Sequence, residues 1–190
     1  ALRGIYLKLE STTALPLETP TALAWDGAHL WAGSWSGRLA VFDPNNPAAP
    51  LWQSVPKGIG PFRPGGLAVG DGALWSLDAA QVRILKHDPR NPSRVLWKSQ
   101  DGSLPSAIAH DGKRLWVFEG SERHLYRYRA DTKLGPEDSY DLSPGLTATS
   151  MQWAGKDLWL FDALNAELWR YRFEGRSFSL KSRDKLLPGT

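Results

Sequence analysis

Three acidic side chains stand at the same place in a repeating phrase. Asp78 follows Leu74-Trp75-Ser76-Leu77, Glu119 follows Leu115-Trp116-Val117-Phe118, and Asp162 follows Leu158-Trp159-Leu160-Phe161; the first copy carries Ser34 there. Carboxylates fixed at one point of successive repeats converge if the repeats close about an axis. Hard cations such as calcium take oxygen ligands of that kind, so these three are the candidate metal ligands. The competing account is hydrogen bonding: each carboxylate accepts backbone N–H groups in the turn that follows its own strand or from the neighbouring blade. No motif asks for any other cofactor.

A second equivalent set is Trp25, Val69, His110 and Trp153. His110 can bind a ligand or titrate near neutrality, and Trp25 and Trp153 offer ring faces. Set against this is a His satisfied inside the core. Trp35 and Phe62 break the repeat pattern, in the loops Gly33-Ser34-Trp35-Ser36-Gly37 and Gly58-Ile59-Gly60-Pro61-Phe62-Arg63-Pro64. Exposed aromatics in such loops suit stacking on a sugar ring or anchoring a partner. Arg63 beside Phe62 adds a fork for a carboxylate, unless the loops simply pack on one another. Enzyme signatures are missing: the Gly33–Gly37 phrase has Trp where a nucleophile elbow needs Ser, and no phosphate-binding glycine loop or paired-His zinc motif occurs.

The elements that position these residues come from a repeat. Ala22-Leu23-Ala24-Trp25-Asp26-Gly27-Ala28-His29-Leu30-Trp31 returns as Gly66–Trp75, Ala107–Trp116 and, more loosely, Ser150–Trp159, with Leu-Trp pairs 44, 41 and 43 residues apart. Most of the ten Trp belong to it. Each copy reads as four short strands: the opening one, an Asp-Gly hairpin turn, a second strand apolar on both faces, a third that alternates as in Tyr126-Arg127-Tyr128-Arg129, and a short fourth. No segment has a capped helical period. Four antiparallel strands per repeat of about 43 residues make an all-β fold, a β-propeller of four blades. The expected layout is one domain over 1–190, with an N-terminal strand in 1–18 and repeats at about 19–55, 64–99, 105–142 and 144–182. Ile5–Glu10 reads as a strand that joins the last blade at its outer edge; otherwise the ring is larger or open, and open edges invite self-association.

Composition excludes several classes. There is no Cys, which removes disulfides and thiolate zinc sites. The net charge of +3 is spread over both halves, without the basic stripe that nucleic acid requires. No apolar run reaches the ~18 residues of a membrane span. The chain opens at Ala1 without a signal-peptide pattern, as a processed chain or an excised segment does.

The phrase Asp-Gly-x-x-Leu-Trp, followed by a hydrophobic strand and Asp-Pro as in Gly27–Pro44, resembles the repeats of two-component-regulator and glutaminyl-cyclotransferase-type propellers. The strand-then-Asp of Leu74–Asp78 and Leu158–Asp162 is similar to NHL-type repeats. Lys113–Gly120 running to Tyr128 resembles a blade of the four-bladed hemopexin rings, which usually carry a disulfide this chain cannot form. These resemblances imply a propeller and no single activity. The expectation is a non-catalytic binding or scaffold propeller that presents its loop face to another protein, a small ligand or a glycan, in a periplasmic or extracellular protein. The alternatives are an enzyme, cyclotransferase-like or a hydrolase, using Asp78, Glu119, Asp162 and His110 at the channel mouth, and a carbohydrate-binding lectin.

Overall fold

A computed structural model describes residues 3–6, 10–99, 104–129 and 135–187. After a short strand β1 (Arg3–Tyr6), the chain builds four antiparallel sheets in sequence order. The first blade holds β2 (Pro20–Trp25), β3 (Leu30–Ser34), β4 (Leu39–Phe42) and β5 (Trp52–Ser54). The second holds β6 (Pro64–Gly70), β7 (Ala73–Asp78), β8 (Arg83–Asp88) and β9 (Asn91–Lys98). β10 (Pro105–His110), β11 (Leu115–Glu119), β12 (His124–Tyr128) and β13 (Pro136–Asp141) form the third. The fourth is β14 (Ser150–Ala154), β15 (Asp157–Asp162), β16 (Glu167–Phe173) and β17 (Phe178–Leu187). The fold is an all-β, four-bladed propeller, as the period and alternation require.

Of the expected N-terminal strand, Ile5 and Tyr6 fall in β1 and residues 7–9 lie outside the described residues. β1 does run along the outer edge of the last blade. It pairs in parallel with β17, Arg3 opposite Asp184 through Tyr6 opposite Leu187, as a fifth strand on a blade that already has four.

The second strand of each repeat explains the stacking. In β7 and β11 every residue is buried, so both faces of the sheet need a neighbour. Leu74 and Leu85 pack toward the first blade against Trp31 and Val41, while Trp75 and Leu77 pack toward the third against Leu115 and Val117. Trp116 and Phe118 then face Leu158, Leu160 and Trp169 of the fourth blade. Each fully buried Leu or Phe contributes about 1.5–3 kcal/mol over exposure. The remaining sides are covered differently. Leu15 and Leu17 cover Leu30, Ala32, Ala40 and Phe42 on the side of blade one away from blade two, and Trp159, on the side of blade four away from blade three, lies beneath the Arg170 guanidinium, 5.3 Å away.

The Asp-Gly turn does more than reverse the chain. Asp111 Oδ1 accepts from the N–H groups of Lys113 (2.8 Å) and Arg114 (2.7 Å), and its Oδ2 accepts from the indole Nε1 of Trp116 (2.8 Å). Asp26 does the same for Ala28, His29 and Trp31 (2.8, 2.7 and 2.8 Å). Gly27 and Gly112 supply the positive φ of 101° and 93° that these turns need. Burial alone would raise the Asp26 carboxyl, but the Trp31 indole and the His29 and Ala28 N–H groups outweigh it and hold its pKa below the ordinary value. The second repeat is one residue shorter between Asp71 and Trp75, and Trp75 Nε1 has no partner among the described residues.

Inside blade two, His87 is fully buried. Its Nδ1–H donates to Pro92 O (2.9 Å), so Nε2 accepts from the Ser76 hydroxyl (2.7 Å). Burial pushes its pKa down to about 4, against opposing pulls from the Pro92 carbonyl and Asp78.

Two outcomes follow from this packing. Asp111→Ala strands a buried indole N–H and two turn N–H groups, and lowers unfolding stability in urea by about 1–3 kcal/mol; Asp111→Asn, which keeps an acceptor, loses less. His87 is neutral when folded and binds a proton when unfolded. Its contribution is therefore complete above pH 6.5 and falls by about 3 kcal/mol as pH drops toward 4. Melting curves between pH 7 and 4.5 show a shallower slope in His87→Gln than in the parent chain.

Candidate functional site

The four innermost strands surround a cavity of about 470 Å³. The beginnings of β2, β6, β10 and β14 form its walls, and Trp159, Phe161 and Leu168 of blade four close one side. It therefore opens on the face made by the loops entering each blade, where a propeller's ligand was expected. Among the described residues, no Asp, Glu, His, Lys or Arg lines it. Thr21, Thr149, Ser150 and Gln152 bring polar groups, and the other walls are glycine, proline or apolar.

A recurring bulge builds this entrance. The pairing of the first two strands slips between Pro20 and Ala22, between Pro64 and Gly66, and between Pro105 and Ala107. The bulged residue re-aims its side chain. Thr21 Oγ1 donates to Pro64 O of the next blade (2.6 Å), and Ser106 Oγ donates to Ala148 O (2.7 Å). Blade two carries Gly65 at that place, which leaves its stretch of wall without a side chain. The repeated pair of Pro and a small residue is the sequence signal of this entrance. Its spacing of 44 and 41 residues matches that of the Leu-Trp pairs.

The three carboxylates expected to gather at the axis are not among the residues that line the cavity, and each accepts a backbone N–H from the segment that enters its own blade. Asp78 accepts from the N–H of Arg63 and of Ala80 (3.0 Å each) and from Arg83 Nε (2.9 Å). Asp162 accepts from Thr147 N (3.1 Å), Asn165 N (3.0 Å) and Asn165 Nδ2 (2.9 Å). Burial would raise its pKa, but these bonds prevail and lower it. Glu119 accepts from the N–H of Leu104, and burial raises its carboxyl above the ordinary value. Among the described residues, no group of three His, Asp or Glu is placed to hold a metal ion.

His110 lies at the far end of its hairpin from Glu119. His110 pairs with Leu115 and Pro105 with Glu119, so the two are separated by most of a six-residue strand, about 16 Å at 3.3 Å per residue. The arrangement of three carboxylates and an imidazole at one mouth is therefore not formed. His110 is 7% exposed; its Nδ1 accepts from Gly112 N (3.0 Å), and burial lowers its pKa despite Asp111 and Asp71 nearby. The ring rests on Gly70 of the preceding blade, where a Cβ would come within 1.9 Å of Nδ1. Trp153 belongs to the core, packed 5.1 Å from Trp116 in a cluster with Tyr140, Phe173 and Phe178. Trp25, 45% exposed, ends β2 beside the Asp26 turn, on the face opposite the cavity mouth.

Of the loop aromatics, Trp35 is 46% exposed, and the Arg63 guanidinium sits 4.6 Å above its ring. Phe62 corrects the expectation. It is 6% exposed and packs 5.8 Å from His87 in the core between blades one and two. The turn at Gly37, with φ of 87°, passes so close to the Phe62 carbonyl that a Cβ there would meet it at 2.7 Å. The loops fold onto one another here and carry the ring inward.

No family model matches the chain, and no curated protein sequence does. Solved structures do. Glutaminyl cyclase of Myxococcus xanthus superposes with a TM-score of 0.70 at 12% identity, over 88% of this chain and 70% of that one. The Cps50 (Swd1) β-propeller domain of Myceliophteria thermophila gives 0.64 at 12% identity, over 87% and 58%. BamB of Moraxella catarrhalis gives 0.53 at 12%, over 84% and 51%. The chain thus spans from about half to 70% of these structures. At such identity the likeness carries fold and no activity. Geometry and comparisons together make this chain a β-propeller repeat protein.

Proposed function

We propose that the protein is a non-catalytic binding propeller, and that the axial cavity takes an apolar ligand or an apolar side chain of a partner. The observation that supports this reading is the lining: about 470 Å³ walled mostly by glycine, alanine, leucine, isoleucine, methionine, tryptophan and phenylalanine, with Thr21, Thr149, Ser150 and Gln152 as its polar groups and no ionisable group among the described residues. Acid–base and nucleophilic catalysis need a titratable or activated group within hydrogen-bond reach of substrate. Binding of an apolar body needs only shape and surface, with a few polar groups at the rim. Ser150 and Gln152 supply those groups, and Trp35 with Arg63 stands exposed in the loops on the same side. A glutaminyl cyclase is among the similar structures, so the fold alone does not decide between catalysis and binding, and the reading rests on the cavity itself.

Gly65 gives the test. A Cβ there meets nothing nearer than Ala79 Cβ at 3.5 Å, so the backbone accepts a larger side chain at a position that lines the cavity. A neutral naphthylamine probe is expected to bind at one site, with energy transfer from Trp159, and to bind at least tenfold more weakly to Gly65→Leu at an unchanged melting temperature. Equal affinity in a folded Gly65→Leu would remove the cavity from consideration.

A further inference from the structure

A second groove lies on the outside of blade two, away from the axis. It has a volume of about 590 Å³ and runs between the outer strand β9 and the loop through Lys57, Gly58 and Ile59. Its charged lining among the described residues is of one sign: Lys57, Arg94 and Lys98, with no carboxylate. Arg94 keeps only a loose contact with Asp88, at 4.0 Å, on the far side of the strand turn. Between the cations lie Ile59 and the exposed Leu96, whose position in a bulge of β9 turns it outward.

The backbone of this edge is available as well. β9 has eight residues, against three in β5 and six in β13, the outer strands of blades one and three. Its inner side is paired with β8. On its outer side, the one backbone bond among the described residues runs from Lys57 N to Ser93 O (3.3 Å). The loop touches the strand at that point and then leaves it, through Gly58 and Gly60 at φ of 71° and 73°. Gln81 Nε2 (2.8 Å) and Arg83 (2.7 Å) both donate to Ile59 O, which holds the groove's far wall in place. An unpaired edge of this length is a template for a further strand. The acidic outer strand of blade three offers no comparable charge, because Glu137, Asp138 and Asp141 are already paired with Arg114, Arg127 and His124.

We propose that this groove docks an extended peptide segment of alternating acidic and apolar residues, which adds as a strand beside β9. Its carboxylates would meet Lys57, Arg94 and Lys98, and its apolar side chains would rest on Leu96 and Ile59. The site is independent of the axial cavity.

The test uses a fluorescein-labelled ten-residue peptide of alternating Glu and Val, followed by anisotropy with the whole chain. Binding is expected to weaken at least tenfold in Lys57→Glu/Arg94→Glu/Lys98→Glu. It is also expected to weaken at least tenfold when alternate peptide nitrogens are methylated, to fall with added salt, and to persist in Gly65→Leu. The amides of Asn91–Lys98 gain protection from hydrogen exchange in the complex. Four results would overturn the proposal: no binding, equal binding of the methylated peptide, displacement by heparin fragments at equal charge, or a homodimer that the triple reversal dissolves.

Discussion

A strand that is apolar on both faces cannot stand at the surface. Leu74-Trp75-Ser76-Leu77 and Leu115-Trp116-Val117-Phe118 are buried from end to end, and from that constraint the rest follows. Each sheet requires a sheet on either side, so repeats must stack, and their twist sets them around an axis. The side of blade one away from blade two and the side of blade four away from blade three are covered differently. Leu15 and Leu17 close the first, whereas Trp159 stays partly exposed under Arg170 and lends its face to the cavity. The cavity thus takes part of its wall from the last blade.

Indole burial raises a second problem, since each Trp brings an N–H inside. Asp26 and Asp111 solve it with one carboxylate that caps the turn and accepts from the indole five residues on. The shortened second turn and the degenerate Ala154-Gly155 turn do not repeat this bond. The recurring Asp of this chain is therefore partly a turn residue and partly the Trp's partner, a role that ties local reversal to inter-blade packing.

The blades were legible because period, Asp-Gly turns and strand alternation all express backbone requirements that repeat. The individual site residues were legible only where their surroundings are local. Asp78, Glu119 and Asp162 do occupy equivalent turns, but their partners, such as Arg83 and Asn165, lie in those turns and remove them from the axis. Phe62 looked like an exposed loop aromatic; a long-range contact with His87 decides its burial, and no spacing rule reports that. Trp153 and His110 share a place in the repeat with Trp25, yet the first joins an aromatic cluster, the second rests on Gly70, and the third stays exposed. Equivalence in sequence fixes position along a strand, while side-chain size in the neighbouring blade fixes environment.

The bulge hydroxyls carry a mechanical meaning. Thr21 ties blade one to blade two and Ser106 ties blade three to blade four, whereas Gly65 leaves the middle junction without such a tie at this rim. Stiffness around the mouth is consequently uneven. Among the described residues, the two tied pairs of blades meet along a junction that has no such hydroxyl bond at this rim, and the mouth is expected to yield there first. A guest too wide for the resting opening would spread the rim along that line, between Gly65 and Ala107, while the stapled pairs move as units.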